Sequence, residues 1–186
     1  QKKQLIRQHK IREAKLSVIT GGALKVDVTH KGLGQLYLKK GDVELTKHVG
    51  LNSSFSIDNK WRDSSCADWF VKKNRKVLEI DIKWPDLPLS HKWLLWFRGQ
   101  CLNWKVRINF HDSVTISQQK VGIMLPHRYN KYMIKSSDIN FPEDFTATWK
   151  ELSFSKVSKV AFSSDDGLPP LVLKPFFKKK PFTEVQ

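Results

Sequence analysis

Val77-Leu78-Glu79-Ile80-Asp81-Ile82-Lys83-Trp84 is the stretch that decides the fold class. Its apolar residues Leu78, Ile80, Ile82 and Trp84 recur every second position, with Glu79, Asp81 and Lys83 between them. A strand puts successive side chains on opposite faces, so this alternation describes a strand with one face buried and one face wet. Downstream, Trp104, Val106, Ile108 and Phe110 alternate with Lys105, Arg107 and Asn109 in the same way. Upstream, Leu24, Val26 and Val28 alternate with Lys25 and Asp27. Residues 93–97 form a continuous apolar run, which predicts a strand covered on both faces. Shorter segments follow the same reading around Leu36, Val43, Phe55, Val114–Ile116, Val121–Ile123, Tyr132–Ile134, 157–162 and Leu171–Leu173. Prolines fall mostly between these segments, where a missing amide donor does no harm. About ten short strands at roughly 8–12-residue spacing, with little helix, predict an all-β sandwich or barrel.

The 186 residues carry 33 basic and 18 acidic side chains, a net charge of +15. Hydrophobic residues make up 40%, with seven Trp and eleven Phe, a composition that excludes an acidic disordered chain. The positive surplus favours a polyanionic partner: an anionic glycan, nucleic acid or an acidic membrane surface. No apolar run approaches the ~18 residues of a membrane-spanning helix. The domain plan is a basic arm or short helix over 1–17, a β-sandwich domain over 18–176, and a basic tail over 177–186. The chain opens Gln1-Lys2-Lys3-Gln4 without Met, which suggests removal of an upstream segment and leaves open that the chain is a fragment. Cys66 and Cys101 are isolated, so one disulfide and two free thiols are both open and the compartment is unassigned.

The order of these segments resembles the galactose-binding-domain-like jelly rolls found in many carbohydrate-binding modules. GGALKVDVTHKGLG is similar to their first strand pair, and GDVELTKHVGLNSSFSID to the segment that follows it. YMIKSSDINFPEDFTATWKELSFSKVSKVAFSSDD resembles their closing stretch, with LPPLVLKPF as the last strand. The likeness covers roughly residues 18–176 and rests on the order of the segments. The chain departs from that pattern by its strong basicity. The resemblance implies a jelly-roll sandwich and a non-catalytic carbohydrate-binding or accessory module, serving an attached or associated enzyme.

Sugar rings offer C–H faces that stack on aromatic rings, and hydroxyls that need polar partners. Trp61 and Trp69, in the polar loop KWRDSSCADWF, and Tyr129, in a second loop beside Arg128 and Asn130, are the aromatic candidates. Lys105 and Arg107 leave one strand on the same side and suit an acidic glycan. No cofactor is expected for such a module, although Asp165 and Asp166 could supply oxygen ligands to a structural calcium ion.

A second, local resemblance points to chemistry. ADWFVKKNRKVLEIDIKW is similar to the PD-(D/E)xK core of restriction-type nucleases, with Ala67 at the place of the proline. That likeness implies Asp68 and Asp81 as magnesium ligands, Lys83 orienting the attacking water, Glu13 as an upstream acid, and DNA as substrate. A third reading is a jelly-roll coat or assembly protein whose basic arm touches nucleic acid without reading sequence. No other catalytic pattern emerges: six His are scattered, and Gly32-Leu33-Gly34 is too short for a phosphate loop.

Overall fold

The computed structural model describes residues 16–134, 137–141 and 158–175, with backbone alone at 137 and 138. Residues 1–15 of the expected arm, with Glu13, and the expected tail over 177–186 lie outside the described residues. Among the described residues the chain is all-β, with fifteen strands and two single 3-10 turns. It divides after Leu125 into two compact units.

The first unit holds three sheets. β1 (Leu16–Gly21), β2 (Leu24–Thr29), β3 (Leu33–Leu38) and β4 (Val43–Glu44) form an antiparallel meander. β7 (Asp68–Asn74), β8 (Val77–Lys83), β9 (Leu89–Arg98) and β10 (Cys101–Phe110) form a second meander of longer strands. The third sheet joins distant segments: β5 (Leu51–Ile57) lies between β6 (Lys60–Asp63) and β11 (Gln118–Ile123). The β5–β6 turn places both Asp58 and Asn59 at positive φ, a conformation that these short polar side chains tolerate. Gly50 meets Gly34 through a parallel bridge so close that a side chain at 50 would collide with the Gly34 carbonyl.

The core of this unit is centred where β5 meets β9 and Trp84, the residue after β8. Phe55 packs edge-on against Trp84 and His91, with ring centroids 4.8 and 5.2 Å away. Trp93 meets Trp69 at 5.0 Å and Trp104 at 4.7 Å, again edge to face. A polar network is sealed within: Trp93 Nε1 donates to Ser53 Oγ at 3.0 Å, and Ser53 Oγ lies 2.7 Å from His91 Nδ1. Leu78, Ile80, Ile82, Leu89 and Leu95 complete this buried face.

The second unit contains one sheet in the order β13 (Ser137–Asn140), β12 (Lys131–Ile134), β14 (Val160–Ser163), β15 (Leu171–Leu173). Tyr132, Ile134, Val160 and Phe162 are buried, and Phe141 stacks parallel to Phe162 at 6.4 Å.

Four local expectations are corrected. Leu16 and Ser17 belong to β1 rather than to an arm, because they pair with Thr29 and Val28. Trp61 and Trp69 sit on strands β6 and β7, not in a polar loop. Val114 and Ile116 lie in irregular chain. The 93–97 run is covered on one face only: Trp93 and Leu95 are buried, while Leu94 and Trp96 are half-buried on the outer face.

Candidate functional site

Register assigns every side chain of the β7–β10 sheet to a face, because residues directly opposite in an antiparallel pair point the same way. Trp93, paired with Val106 and Ile80, points to the core. Its neighbours therefore point outward, in rows that cross the sheet. Arg107, Lys92, Asp81 and Phe70 make one row. Lys105, Leu94, Glu79 and Lys72 make the next, and Asn103, Trp96, Val77 and Asn74 the third. At the far end Asn109, Ser90, Lys83 and Asp68 close the face.

The charges on this face are unequally satisfied. Lys92 Nζ lies 2.5 Å from Glu79 Oε1 and 3.7 Å from Asp81 Oδ1. The Lys92 hydrogen bond holds the Glu79 carboxyl below its ordinary range, and the same bond raises the Lys92 amine. Lys83 Nζ sits 5.4 Å from the centre of the Phe70 ring. Lys105 and Arg107 are exposed on β10, an edge strand of this sheet, and have no acidic partner among the described residues. Along that strand the outward residues read Asn103, Lys105, Arg107, Asn109: two cations between two amides, with the half-buried Trp96 opposite Asn103. Such a surface can bind anionic groups, donate to hydroxyls and offer an indole to an apolar sugar face.

The other expected ligand-binding residues are not gathered here. Trp61 is 45% exposed, opposite Ser56 on the face of β5 turned away from Phe55, and Lys120 Nζ lies 4.8 Å above its ring. It therefore looks away from Lys105 and Arg107. Trp69 is only 6% exposed and donates its Nε1 proton to Ser64 O at 2.6 Å, so its ring belongs to the core. Tyr129 is buried in the second unit, where its hydroxyl donates to Pro169 O at 2.9 Å. Burial pushes that phenol up to about 12. Beside it, Arg128 reaches Asp166 at 3.4 Å, and Asp165 accepts from Asn130 at 2.9 Å and Lys131 at 2.6 Å. The two carboxylates considered for calcium are thus engaged by basic and amide groups. The Lys131 bond, then the Asn130 bond, holds the Asp165 carboxyl below its ordinary value. Cys66 and Cys101 are both exposed free thiols.

The nuclease-like residues do meet. The β7–β8 hairpin turns at Arg75 and Lys76, Asp68 pairs with Lys83, and Phe70 with Asp81, so Asp68, Asp81 and Lys83 share the outer face. Asp81 is drawn toward Lys92 rather than standing free. Among the described residues no three His, Cys, Asp or Glu side chains are grouped closely enough to hold a metal ion.

No protein family, curated protein or solved structure matches this chain. The sheet face itself therefore carries the functional reading. Sequence reasoning found Lys105, Arg107 and Lys83 through their two-residue spacing, and it missed Lys92, Leu94 and Trp96. The only signal for those three was the pairing register of β9, which a continuous apolar run conceals.

Proposed function

We propose that the chain is a non-catalytic binding module, a β-sandwich of jelly-roll type, whose outer β7–β10 face recognises an anionic glycan in the service of an associated enzyme. Two features support the sandwich: β5 is enclosed by β6 and the sequence-distant β11, and its Phe55 packs edge-on against His91 of β9 and against Trp84. The observation that carries the function is the pair Lys105 and Arg107, exposed side by side without acidic partners while neighbouring Lys92 is already neutralised. Free cations retain their full capacity for sulfate or carboxylate groups, each charge-assisted hydrogen bond contributing roughly 1.5–3 kcal/mol. Flanking amides and an indole suit hydroxyls and sugar C–H faces, which a bare phosphate chain lacks.

The test is retention on heparin, hyaluronan and polygalacturonate, with dextran and duplex DNA alongside, at physiological salt. One anionic glycan should be held selectively, and the Lys105→Ala/Arg107→Ala double variant should bind it at least about tenfold more weakly. Equal retention on DNA with a steep salt dependence would instead show unselective counterion-release attraction, and the glycan reading would fail.

A further inference from the structure

At the end of β10 the chain lines an open hollow of about 520 Å³ with Phe110, His111, Asp112, Ser113 and Val114. Phe110 continues the inward phase of β10, opposite Leu89, whereas His111, one residue on, reaches the end of the outer face of the β7–β10 sheet. Ser90 lies opposite Asn109 on that face, and His111 Nε2 is 3.0 Å from Ser90 Oγ. We propose that this hollow is a separate subsite for a neutral sugar unit, with the Phe110 ring as its stacking platform and Asp112 as its hydroxyl acceptor. The proposal rests on the glycan reading of the outer β7–β10 face and adds a second ligand chemistry to it.

Four observations converge on a neutral, hydroxyl-bearing ligand. Phe110 is 55% exposed, the most exposed of the large apolar side chains among the described residues, and an exposed aromatic face is what a pyranose C–H face packs against. Asp112 is the one carboxylate of the lining, so an anionic unit is repelled while hydroxyl protons find a strong acceptor. Asp112 spends Oδ1 on the Ser113 backbone amide at 2.6 Å, which orients the group and leaves its second oxygen with no partner among the described residues. The segment is also fixed before any ligand arrives: the His111 amide donates to Pro88 O at 2.7 Å, and the imidazole is held by Ser90. Preorganised groups lose less freedom on binding. Arg107 lies three residues before Phe110, about 10 Å along an extended strand and on its opposite face, so the two sites are distinct. The strand then presents cations to acidic units, and the hollow an aromatic ring and a carboxylate to a neutral one.

The experiment is an NMR titration of the full chain with D-galactose, cellobiose and a heparin-derived tetrasaccharide, following the Phe110 and His111 ring signals and the β10 amides. A neutral sugar should shift the ring signals. Phe110→Ala and Asp112→Asn should each weaken that binding by about tenfold, and Trp61→Ala, on another sheet, should leave it unchanged. Asparagine keeps the oxygen that caps Ser113, so Asp112→Asn retains the loop, and unchanged thermal midpoints will establish that both variants fold. If the neutral sugars shift nothing while the tetrasaccharide still moves the β10 amides, the subsite is refuted and the anionic face stands. If neutral binding survives both substitutions, the sugar sits elsewhere and the proposal is equally overturned. If no sugar shifts any signal, the glycan reading falls together with the subsite.

Discussion

On the inner face of the β7–β10 sheet Leu78, Ile80, Ile82, Trp93 and Leu95 are sealed from solvent. One residue along the same strands, Glu79, Asp81, Lys92, Leu94 and Trp96 remain partly exposed. Backbone, strand length and hydrogen bonding are common to the two faces, so the contrast is due to side chains alone. Inward residues are fixed by packing within the core, and any change there acts on folding. Outward residues are constrained by little beyond solubility, which leaves their charges available for a ligand. Substitutions should therefore separate cleanly into those that unfold the chain and those that alter binding.

The largest effect is expected at the centre of the inner face. Trp93 is fully buried, contacts two other indoles and donates to Ser53. Trp93→Ala should cost about 3–5 kcal/mol, read as a lowered urea midpoint. The neighbouring outward Trp96→Ala should cost far less. Similar costs at the two positions would dissolve the distinction between the faces.

Acid should act on the inner face as well. Burial pushes the His91 imidazole down to about 4, so it is neutral in the folded chain, whereas the unfolded chain takes up a proton near 6.5. Between these values the unfolded state binds more protons. Stability is thus fully present above about pH 6.5 and is lost as pH falls toward 4, by about 3 kcal/mol in total. Urea midpoints at pH 7, 6 and 5 should fall steadily, while the His91 ring signals stay unchanged to pH 5. An imidazole that titrates near 6.5 in the folded chain would show that the ring is not sealed. Ser53→Ala is the milder perturbation: it leaves Trp93 Nε1 and His91 Nδ1 without their shared partner, at a cost of about 1–3 kcal/mol in the same denaturation assay.

The inner face was also the legible one. Residues 77–84 and 104–110 announce strands because apolar and charged residues alternate without a break. β9 concealed its two faces, since Leu94 and Trp96 are apolar although they point outward. β7 was read as loop because Trp69 and Val71 are its only inward apolar residues, and Lys73 in the same phase turns its amine to Val18 O at 2.7 Å. Charge positions on the outer face followed from a spacing of two. Aromatic exposure did not, because it depends on which strand lies at an edge and where a strand ends. Trp69 is enclosed by neighbours, whereas Phe110 continues the inward phase of β10 and is exposed where that strand terminates.

The smallest effect is the sharpest test of the outer face. Glu79 holds Lys92 by a pair that is about one-third exposed on each side, and such pairs are worth roughly 0–1 kcal/mol. Glu79→Gln should therefore leave the urea midpoint nearly unchanged. It also removes one negative charge from the face and loosens Lys92, which then retains only the more distant Asp81. Lys92 lies in the row of Arg107 and beside Lys105, so a third cation joins the pair proposed to bind the glycan. Affinity for the anionic glycan should rise by a few-fold, about what one added charge at an exposed site supplies, and binding to dextran should not change. Affinity that stays flat would place the ligand away from this row.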